Sequence, residues 1–227
     1  ERLLADKVSH RMQLAGNSVV DLPAITTLGA QPHYQVVFRA YSGGRVNAPH
    51  FNQLLGGIEA ISDGAGSIVD FSGFQGPLRR TRDGFAYLEV YEGASILIPG
   101  VTALDKVDLY IHGDGQIHTA QLTGLTGAEI ELDGVTNHFP ALTNIMGTHV
   151  TLYGGARAIM AGVTSLGRTN NTSVTMTVQD AGSVLEFPNV TNATVEPNYR
   201  LQLYAEDGGR IPLPRLVTMN GGIDVLA

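Results

Sequence analysis

The sequence contains no cysteine and no tryptophan among its 227 residues. Without cysteine the chain cannot form disulfides, thiolate metal sites or a cysteine nucleophile. Basic residues are also few, since 14 Lys and Arg stand against 21 Asp and Glu, for a net charge of −7. Binding to a phosphate backbone needs a Lys/Arg surface, so we expect no nucleic-acid partner.

Long apolar runs and helical periodicity are missing as well. No run approaches the roughly 18 residues of a bilayer-spanning helix, so we expect no membrane span. No basic-then-apolar signal peptide opens the chain. Glycine (28 residues) and proline (10) are abundant, and 43% of the residues are apolar. This composition predicts a packed core interrupted by many turns.

A short phrase recurs nine times along the chain. It consists of a small or basic residue, an apolar residue, any residue, an apolar or small residue, Pro, any residue, an apolar residue, Thr, any residue and Leu. The clearest copies are residues 95–104 (SILIPGVTAL), 157–166 (RAIMAGVTSL) and 210–219 (RIPLPRLVTM). Looser copies begin at Ser18, Arg45, Ser67, Gln116, Val135 and Ser183, which gives a mean spacing of about 24 residues. A period of this length predicts a solenoid, in which each repeat buries its apolar face against its neighbours.

Each repeat carries a second strand-like segment in which apolar and polar residues alternate. Examples are residues 87–91 (YLEVY), 107–111 (VDLYI), 150–153 (VTLY) and 201–204 (LQLY). Alternation with a period of two predicts that Leu109, Leu152 and Leu203 point inward. Glycine and Asp follow these segments, as at Gly154 and Gly155, and predict sharp corners with positive φ.

Repeats of this length and pattern resemble the right-handed parallel β-helix, also called the pectin-lyase-like fold. They also resemble tandem repeats of large secreted bacterial surface proteins, where the solenoid is a stalk or an adhesive segment. The resemblance implies an all-β solenoid of about nine coils over the single domain 1–227, located outside the cell or at its surface. It specifies architecture better than function.

The last residues, 221–226 (GGIDVL), read as the start of another coil's strand. Solenoids close their ends with polar or helical caps, and neither end of this sequence has one. We therefore expect a fragment of a longer protein, whose ends contact neighbouring segments or stack end to end.

Many parallel β-helix proteins cleave polysaccharides, so their motifs provide a first test for an enzyme. Residues 210–215 (RIPLPR) match the Arg-x-Pro-x-x-Arg of pectate lyases, and the resemblance would give Arg215 the role of acting on the proton beside a uronate carboxylate. Arg210 also occupies an ordinary repeat position, shared with Arg45 and Arg157. The Asp-Asp and Gly-His-Gly of polygalacturonases are missing. Catalysis by a polysaccharide lyase or hydrolase therefore remains the alternative to a non-catalytic role.

Acidic residues recur at two places in the repeat. Glu89, Asp108 and Glu131 are predicted to occupy equivalent outward positions, as a carboxylate cluster or a solvated acidic face. The acids of the corners would form a ladder of calcium ligands or cap their own turns: Asp63, Glu92, Asp114, Asp133, Asp180 and Asp207. No cofactor is predicted, with calcium as the alternative.

A set of tyrosines provides the predicted binding surface. They follow the innermost apolar residue of the second segment and are predicted to point outward on one face: Tyr41, Tyr91, Tyr110, Tyr153 and Tyr204. Flat rings with a hydrogen-bonding tip suit stacking on sugar rings. The alternative is that they only cover the sheet. The expected partner is a polysaccharide or a cell-surface ligand, and the expected function is a stalk or a glycan-binding module.

Overall fold

A computed structural model describes residues 2–5, 10–30, 35–81, 85–168 and 173–227, and these residues form parallel strands joined by turns. Within these residues the fold is an all-β parallel β-solenoid of about eight turns with a repeat of about 26 residues, and it contains no helix. The predicted architecture, with about nine coils and a mean spacing of about 24 residues, is confirmed. No helix of the described residues is long and apolar enough to cross a membrane.

The chain divides into two compact units, unit 1 (Glu1–His118) and unit 2 (Thr119–Ala227). The prediction of a single domain over 1–227 stays a prediction. The strands of unit 1 are β1 (Arg2–Ala5), β2 (His10–Ala15), β3 (Val19–Asp21), β4 (Thr27–Ala30), β5 (Gln35–Tyr41), β6 (Arg45–Asn47), β7 (Gln53–Leu55), β8 (Gly57–Asp63), β9 (Ile68–Asp70), β10 (Gly76–Arg79), β11 (Ala86–Val90), β12 (Ser95–Leu97), β13 (Val101–Asp105), β14 (Asp108–His112) and β15 (Gln116–Ile117).

The strands of unit 2 are β16 (Gly124–Thr126), β17 (Glu129–Asp133), β18 (Thr136–His138), β19 (His149–Tyr153), β20 (Arg157–Ile159), β21 (Ser165–Arg168), β22 (Val174–Val178), β23 (Val184–Glu186), β24 (Asn192–Val195), β25 (Leu201–Ala205), β26 (Thr218–Asn220) and β27 (Ile223–Leu226).

Most turns contribute one strand to each of three faces, which we call the main, second and third sheets; hydrogen bonding divides the second and third into shorter sheets. The main sheet holds the long alternating strands, in the order β2-β5-β8-β11-β14 in unit 1 and β17-β19-β22-β25-β27 in unit 2. The second sheet holds the start of the repeated phrase, as in β3-β6-β9-β12-β15 and in β18-β20-β23. The third sheet holds the end of the phrase, as in β10-β13 and in β21-β24-β26. The alternation alone did not reveal this third strand, because its segments are short.

Burial follows the predicted alternation. Leu109 and Leu152 are fully buried and Leu203 is 3% exposed. Tyr110, Tyr153 and Tyr204 lie on the opposite, outward side of their strands and are half-buried. The predicted inward and outward sides are therefore confirmed, and neighbouring side chains cover part of each tyrosine.

The corners have the predicted backbone geometry. Gly154 and Gly155 follow β19 with φ of 66° and 79°, a region that glycine enters without steric cost. The amide of Gly155 donates to the hydroxyl of Ser183 in the next turn, at 3.0 Å. Ser183 is fully buried, so this small hydroxyl residue at the start of the phrase satisfies a corner amide that the sheets leave unpaired.

Candidate functional site

The candidate site of unit 1 lies on the outward side of β5, β8, β11 and β14, which we call the outer face. In its β5–β8 half Val37 and Glu59 are buried, at 1% and 4% exposure, whereas Arg39, Tyr41 and Asp63 are half-buried. Its β11–β14 half contains half-buried aromatic and acidic side chains. No outward side chain of β11 or β14 is fully buried, so a ligand has access to this half.

The register of the main sheet separates the predicted tyrosines of unit 1 into two rows. Tyr41 pairs with Asp63, and Tyr91 occupies the next place in that row, since Val90 before it pairs with Ser62. Tyr110 pairs with Glu89, one row away. The tyrosines of unit 1 share an outer face, but they do not form one ladder.

Two aromatic residues of the outer face were missed by sequence reasoning. Tyr87 lies on β11 and pairs with Glu59 on one side and Asp108 on the other. Its ring centroid lies 5.9 Å from that of Tyr110. Phe85, just before β11, is 69% exposed. The signal was present in residues 85–91 (FAYLEVY), where every outward position except Glu89 is aromatic.

Glu89 is the centre of this aromatic surface. Tyr87 and Tyr91 are its outward neighbours along the strand, two residues away on either side, and Tyr110 lies directly opposite on β14. Directly opposite residues of neighbouring strands have Cβ atoms about 5 Å apart. We call Glu89 with these three tyrosines the tyrosine cluster.

Hydrogen bonding and stacking hold Glu89 in position. The hydroxyl of Tyr91 donates to Oε1 of Glu89 at 2.5 Å. The ring of His112 stacks on Tyr91 with centroids 4.4 Å apart and planes 8° apart. Nε2 of His112 is buried without a hydrogen-bond partner among the described residues and lies 3.8 Å from Oε1 of Glu89. The Glu89 side chain is 18% exposed, so its carboxylate is fixed and only partly hydrated.

A second carboxylate, Glu59, is already paired. Nε of Arg39 donates to Oε1 of Glu59 at 2.7 Å, and Nη2 of Arg39 donates to the same oxygen. The amide of Gln35 donates to Oε2 at 3.2 Å. Removing Arg39 would leave the Glu59 carboxylate buried and without its ion-pair partner, which would destabilise the fold. We therefore assign this network a role in stability.

Burial raises the pKa of Tyr87 well above the ordinary value of 10.0, and the neighbouring charge of Glu59 and its hydrogen bond raise it further. The phenol therefore stays protonated in the folded protein at a pH where an unfolded tyrosine ionises. Stability that depends on this proton is complete below the unfolded pKa and is lost as the pH rises above it.

We therefore expect Tyr87 to ionise above the ordinary tyrosine range in an alkaline titration followed by phenolate absorbance, and a Tyr87→Phe variant to lose that late step. The variant should also flatten the decline of stability above pH 10. A titration in which Tyr87→Phe removes an early step would contradict the assignment.

The predicted acidic row is wrong in unit 1. Leu88 pairs with Leu109, which puts Asp108 opposite Tyr87 and Tyr110 opposite Glu89. Glu89 and Asp108 therefore occupy different rows, because their strands are offset by two residues relative to the expected alignment. Glu131 lies on β17 in unit 2, where it accepts a hydrogen bond from the hydroxyl of Tyr153.

The tyrosines of unit 2 are more scattered. Tyr153 pairs with Asp133 across the β17–β19 register. Tyr204 pairs with Thr177 and accepts a hydrogen bond from the amide of Gln202 at 2.6 Å. Thr151 pairs with Thr177, so Tyr153 and Tyr204 lie in different rows.

The two arginines of the lyase-like motif lie on the surface of unit 2. Arg210 occupies the row of Arg157 and Val184, as the repeat predicts. Nη1 of Arg215 donates to the side-chain oxygen of Asn189 at 3.2 Å. No ion pair of either arginine is recorded among the described residues. The motif thus has local structural explanations, and its catalytic role stays a prediction.

The described residues contain no group of three or more His, Cys, Asp or Glu side chains that could hold a metal ion. The corner acids also have local roles where their contacts are recorded. Asp180, for example, accepts a hydrogen bond from the amide of Gly154 at 3.0 Å. We therefore assign no residues to calcium.

Unit 2 also has two clefts. One of about 540 Å³ lies along the third sheet and is lined by Asn144, Asn192, Thr194 and Glu196, among others. It forms where the third strand shrinks to an isolated bridge between Gly124 and Asn144. The other, of about 450 Å³, is largely apolar and lies at the last turn. Neither contains a charged or aromatic cluster comparable to that around Glu89.

The fold defines the protein as a parallel β-solenoid. No protein-family model, curated protein or solved structure matches the chain.

Proposed function

We propose that the protein is a non-catalytic β-solenoid segment of a secreted or cell-surface protein, and that its outer face in unit 1 binds a glycan. The tyrosine cluster is the observation that carries this proposal. Tyr87 and Tyr110, with Phe85 beside them, give an apolar platform, and Glu89 gives a hydrogen-bond acceptor within it. Sugar rings combine apolar faces with hydroxyl edges, so they suit such a surface.

The surface-protein part of the proposal rests on the repeated phrase and on its resemblance to the repeats of secreted bacterial surface proteins. In such a protein the turns without an aromatic cluster would act as a stalk. Adhesion to a polysaccharide would then depend on a few turns, with the remaining turns setting their distance from the cell.

Polysaccharide cleavage is the alternative. Glycosidases need an acid and a base, or a nucleophile, held on either side of the scissile bond. Glu59 is engaged by Arg39, and Glu89 accepts the Tyr91 hydroxyl, so neither carboxylate is arranged as one member of such a pair. Binding is therefore the function that these contacts favour.

A glycan array followed by a product assay on each hit tests both functions. We expect retention of at least one glycan class without release of reducing or unsaturated ends. Release of such ends, abolished by Arg215→Ala, would overturn the binding proposal in favour of a lyase. Absence of any glycan binding would leave only the stalk.

The position of the binding surface is tested by two matched double variants. The sequence alone predicts that affinity is shared among five tyrosines, so that single changes cost little and combined changes cost much. The tyrosine cluster in unit 1 instead predicts that affinity is concentrated there, so the double variant Tyr87→Ala with Tyr110→Ala should weaken binding by about tenfold or more. Tyr153→Ala with Tyr204→Ala should change it by less than about threefold. Affinity is measured by calorimetry on the hit from the array.

Unfolding of both double variants is measured beside affinity, because half-buried strand tyrosines also contribute to packing. Equal losses of affinity in the two variants would show that the unit 1 cluster is not the binding surface.

A further inference from the structure

We propose that the tyrosine cluster is a subsite for a cationic group, so that the outer face of unit 1 selects an amine-bearing glycan over neutral or uronate polymers. This inference rests on the proposed glycan binding and names the substrate class. It follows from three features of the outer face: the sign of its charge, the position of Glu89 among aromatic rings, and the restricted hydration of that carboxylate.

The outer face of unit 1 is acidic. Four carboxylates lie on β8, β11 and β14: Glu59, Asp63, Glu89 and Asp108. Arg39 is the only Lys or Arg on the outward positions of the described β5, β8, β11 and β14, and it is committed to Glu59. Lys106 lies two residues before Asp108, as Phe85 lies two residues before Tyr87, so this cation is at the Phe85 end of the face and away from Glu89. An anionic uronate chain would therefore meet repulsion, whereas a cationic chain would be attracted.

Aromatic rings surround the charge at the centre of this face. Tyr87, Tyr91 and Tyr110 flank Glu89 on three sides. A cation over the face of a tyrosine ring is attracted by its π electrons, and a carboxylate beside the ring adds a direct ion pair. A neutral sugar uses the rings alone, so only a cationic sugar gains from both.

The Glu89 carboxylate is preorganised for binding a cation. Its side chain is 18% exposed, and the Tyr91 hydroxyl holds Oε1 in place. Stacking of His112 on Tyr91 in turn fixes the Tyr91 ring. Because the Glu89 side chain is already held in one position, binding a ligand costs little side-chain entropy. Partial burial also reduces the screening of its charge by salt and water.

The ligand is inferred to be a glycan rather than a basic peptide because of the shape of the aromatic surface. Tyr87 and Tyr110 are tilted neighbours with centroids 5.9 Å apart, and Phe85 extends the surface at the start of β11. Their combined extent suits successive rings of a sugar chain. A flexible lysine side chain would need only one ring and one carboxylate.

The test compares one oligosaccharide backbone in several chemical forms. The probes are a fully deacetylated glucosamine oligomer, its N-acetylated form, its N-trimethylated form, oligogalacturonate and oligolysine. The trimethylated form carries its charge at every pH, so protonation of the sugar amine cannot confuse the comparison, and all probes are compared at one pH so that His112 is in the same state for each. Affinities are measured by calorimetry on the full chain.

We expect both cationic oligomers to bind about tenfold more tightly than the N-acetylated oligomer, with oligogalacturonate weakest. Glu89→Gln should remove this preference while leaving affinity for the N-acetylated oligomer within about twofold, because the amide keeps the size and can still accept from Tyr91. Glu206→Gln in unit 2, a carboxylate bonded to Gln179 at 2.9 Å, is the matched control and should keep the preference.

If the Glu89→Gln variant does not fold, the preference for cationic oligomers can be tested on the unmutated protein by its dependence on salt. Raising salt from about 0.05 M to about 0.5 M should weaken the cationic oligomers and leave the N-acetylated one nearly unchanged. Equal affinity for cationic and N-acetylated forms at both salt concentrations would overturn the inference while glycan binding stands. Oligolysine binding as tight as that of the cationic glycans would overturn the glycan assignment, and no glycan binding at all would overturn the proposed function itself.

Discussion

Replacing Phe71 with alanine should lower the free energy of unfolding by about 3 to 5 kcal/mol. Phe71 is 1% exposed, and its ring meets Phe38 and Phe51 edge to face, with centroids 5.4 and 5.1 Å away. Alanine would leave a cavity, because Phe38 on β5 and Phe51 between β6 and β7 are themselves fully buried and cannot collapse into it. Urea denaturation followed by circular dichroism measures the loss.

Phe85→Ala provides the control for this prediction. It makes the same chemical change at a side chain that is 69% exposed, so stability should change by less than about 0.5 kcal/mol. The loss of stability caused by Phe71→Ala should therefore be several times the loss caused by Phe85→Ala. Similar losses at the two positions would mean that Phe71 does not pack as described.

Replacing Gly73 with alanine should lower stability by about 2 to 3 kcal/mol. A Cβ atom there would lie 1.9 Å from the carbonyl oxygen of Pro49 and 3.1 Å from the Cα of His50, both backbone atoms of the preceding turn. The two turns would have to move apart, which weakens their packing. The gain of about 0.4 to 1 kcal/mol from a stiffer unfolded chain does not offset this.

His50→Ala is the matched control, because it changes the same position one turn earlier. Asn47 pairs with Asp70, which puts His50 in register with Gly73. The His50 side chain is exposed, and its truncation should cost less than about 0.5 kcal/mol. A Gly73→Ala variant as stable as the unmutated protein would show that the turns are spaced more widely at this point.

The candidate site was only partly predictable. Tyr91 and Tyr110 were predicted from alternation as outward binding residues, and both lie in the tyrosine cluster. Tyr87 and Phe85 follow the same alternation but were not included among the predicted binding residues. Glu89 was recognised only as a member of an acidic row, because its aromatic surroundings come partly from β14, whose register with β11 is not encoded in either strand alone.

Unit 2 illustrates the same difficulty. Aligning residues 150–153 (VTLY) with 201–204 (LQLY) by eye would put Tyr153 and Tyr204 in one row. The strands instead pair so that Thr177 lies between Thr151 and Tyr204, and Tyr153 lies one row away. The turns between these strands differ in length, and each difference shifts the register without changing the local pattern.

The sequence by itself determined the all-β solenoid, the inward leucines and the outward tyrosines, because alternation is a property of a single strand and survives any change in its neighbours. Only the tertiary structure decided which outward side chains meet, since register depends on corner geometry and on the number of residues between strands. For that reason Glu89 lies opposite Tyr110 rather than Asp108, and a row expected to be acidic is instead a carboxylate set among tyrosines.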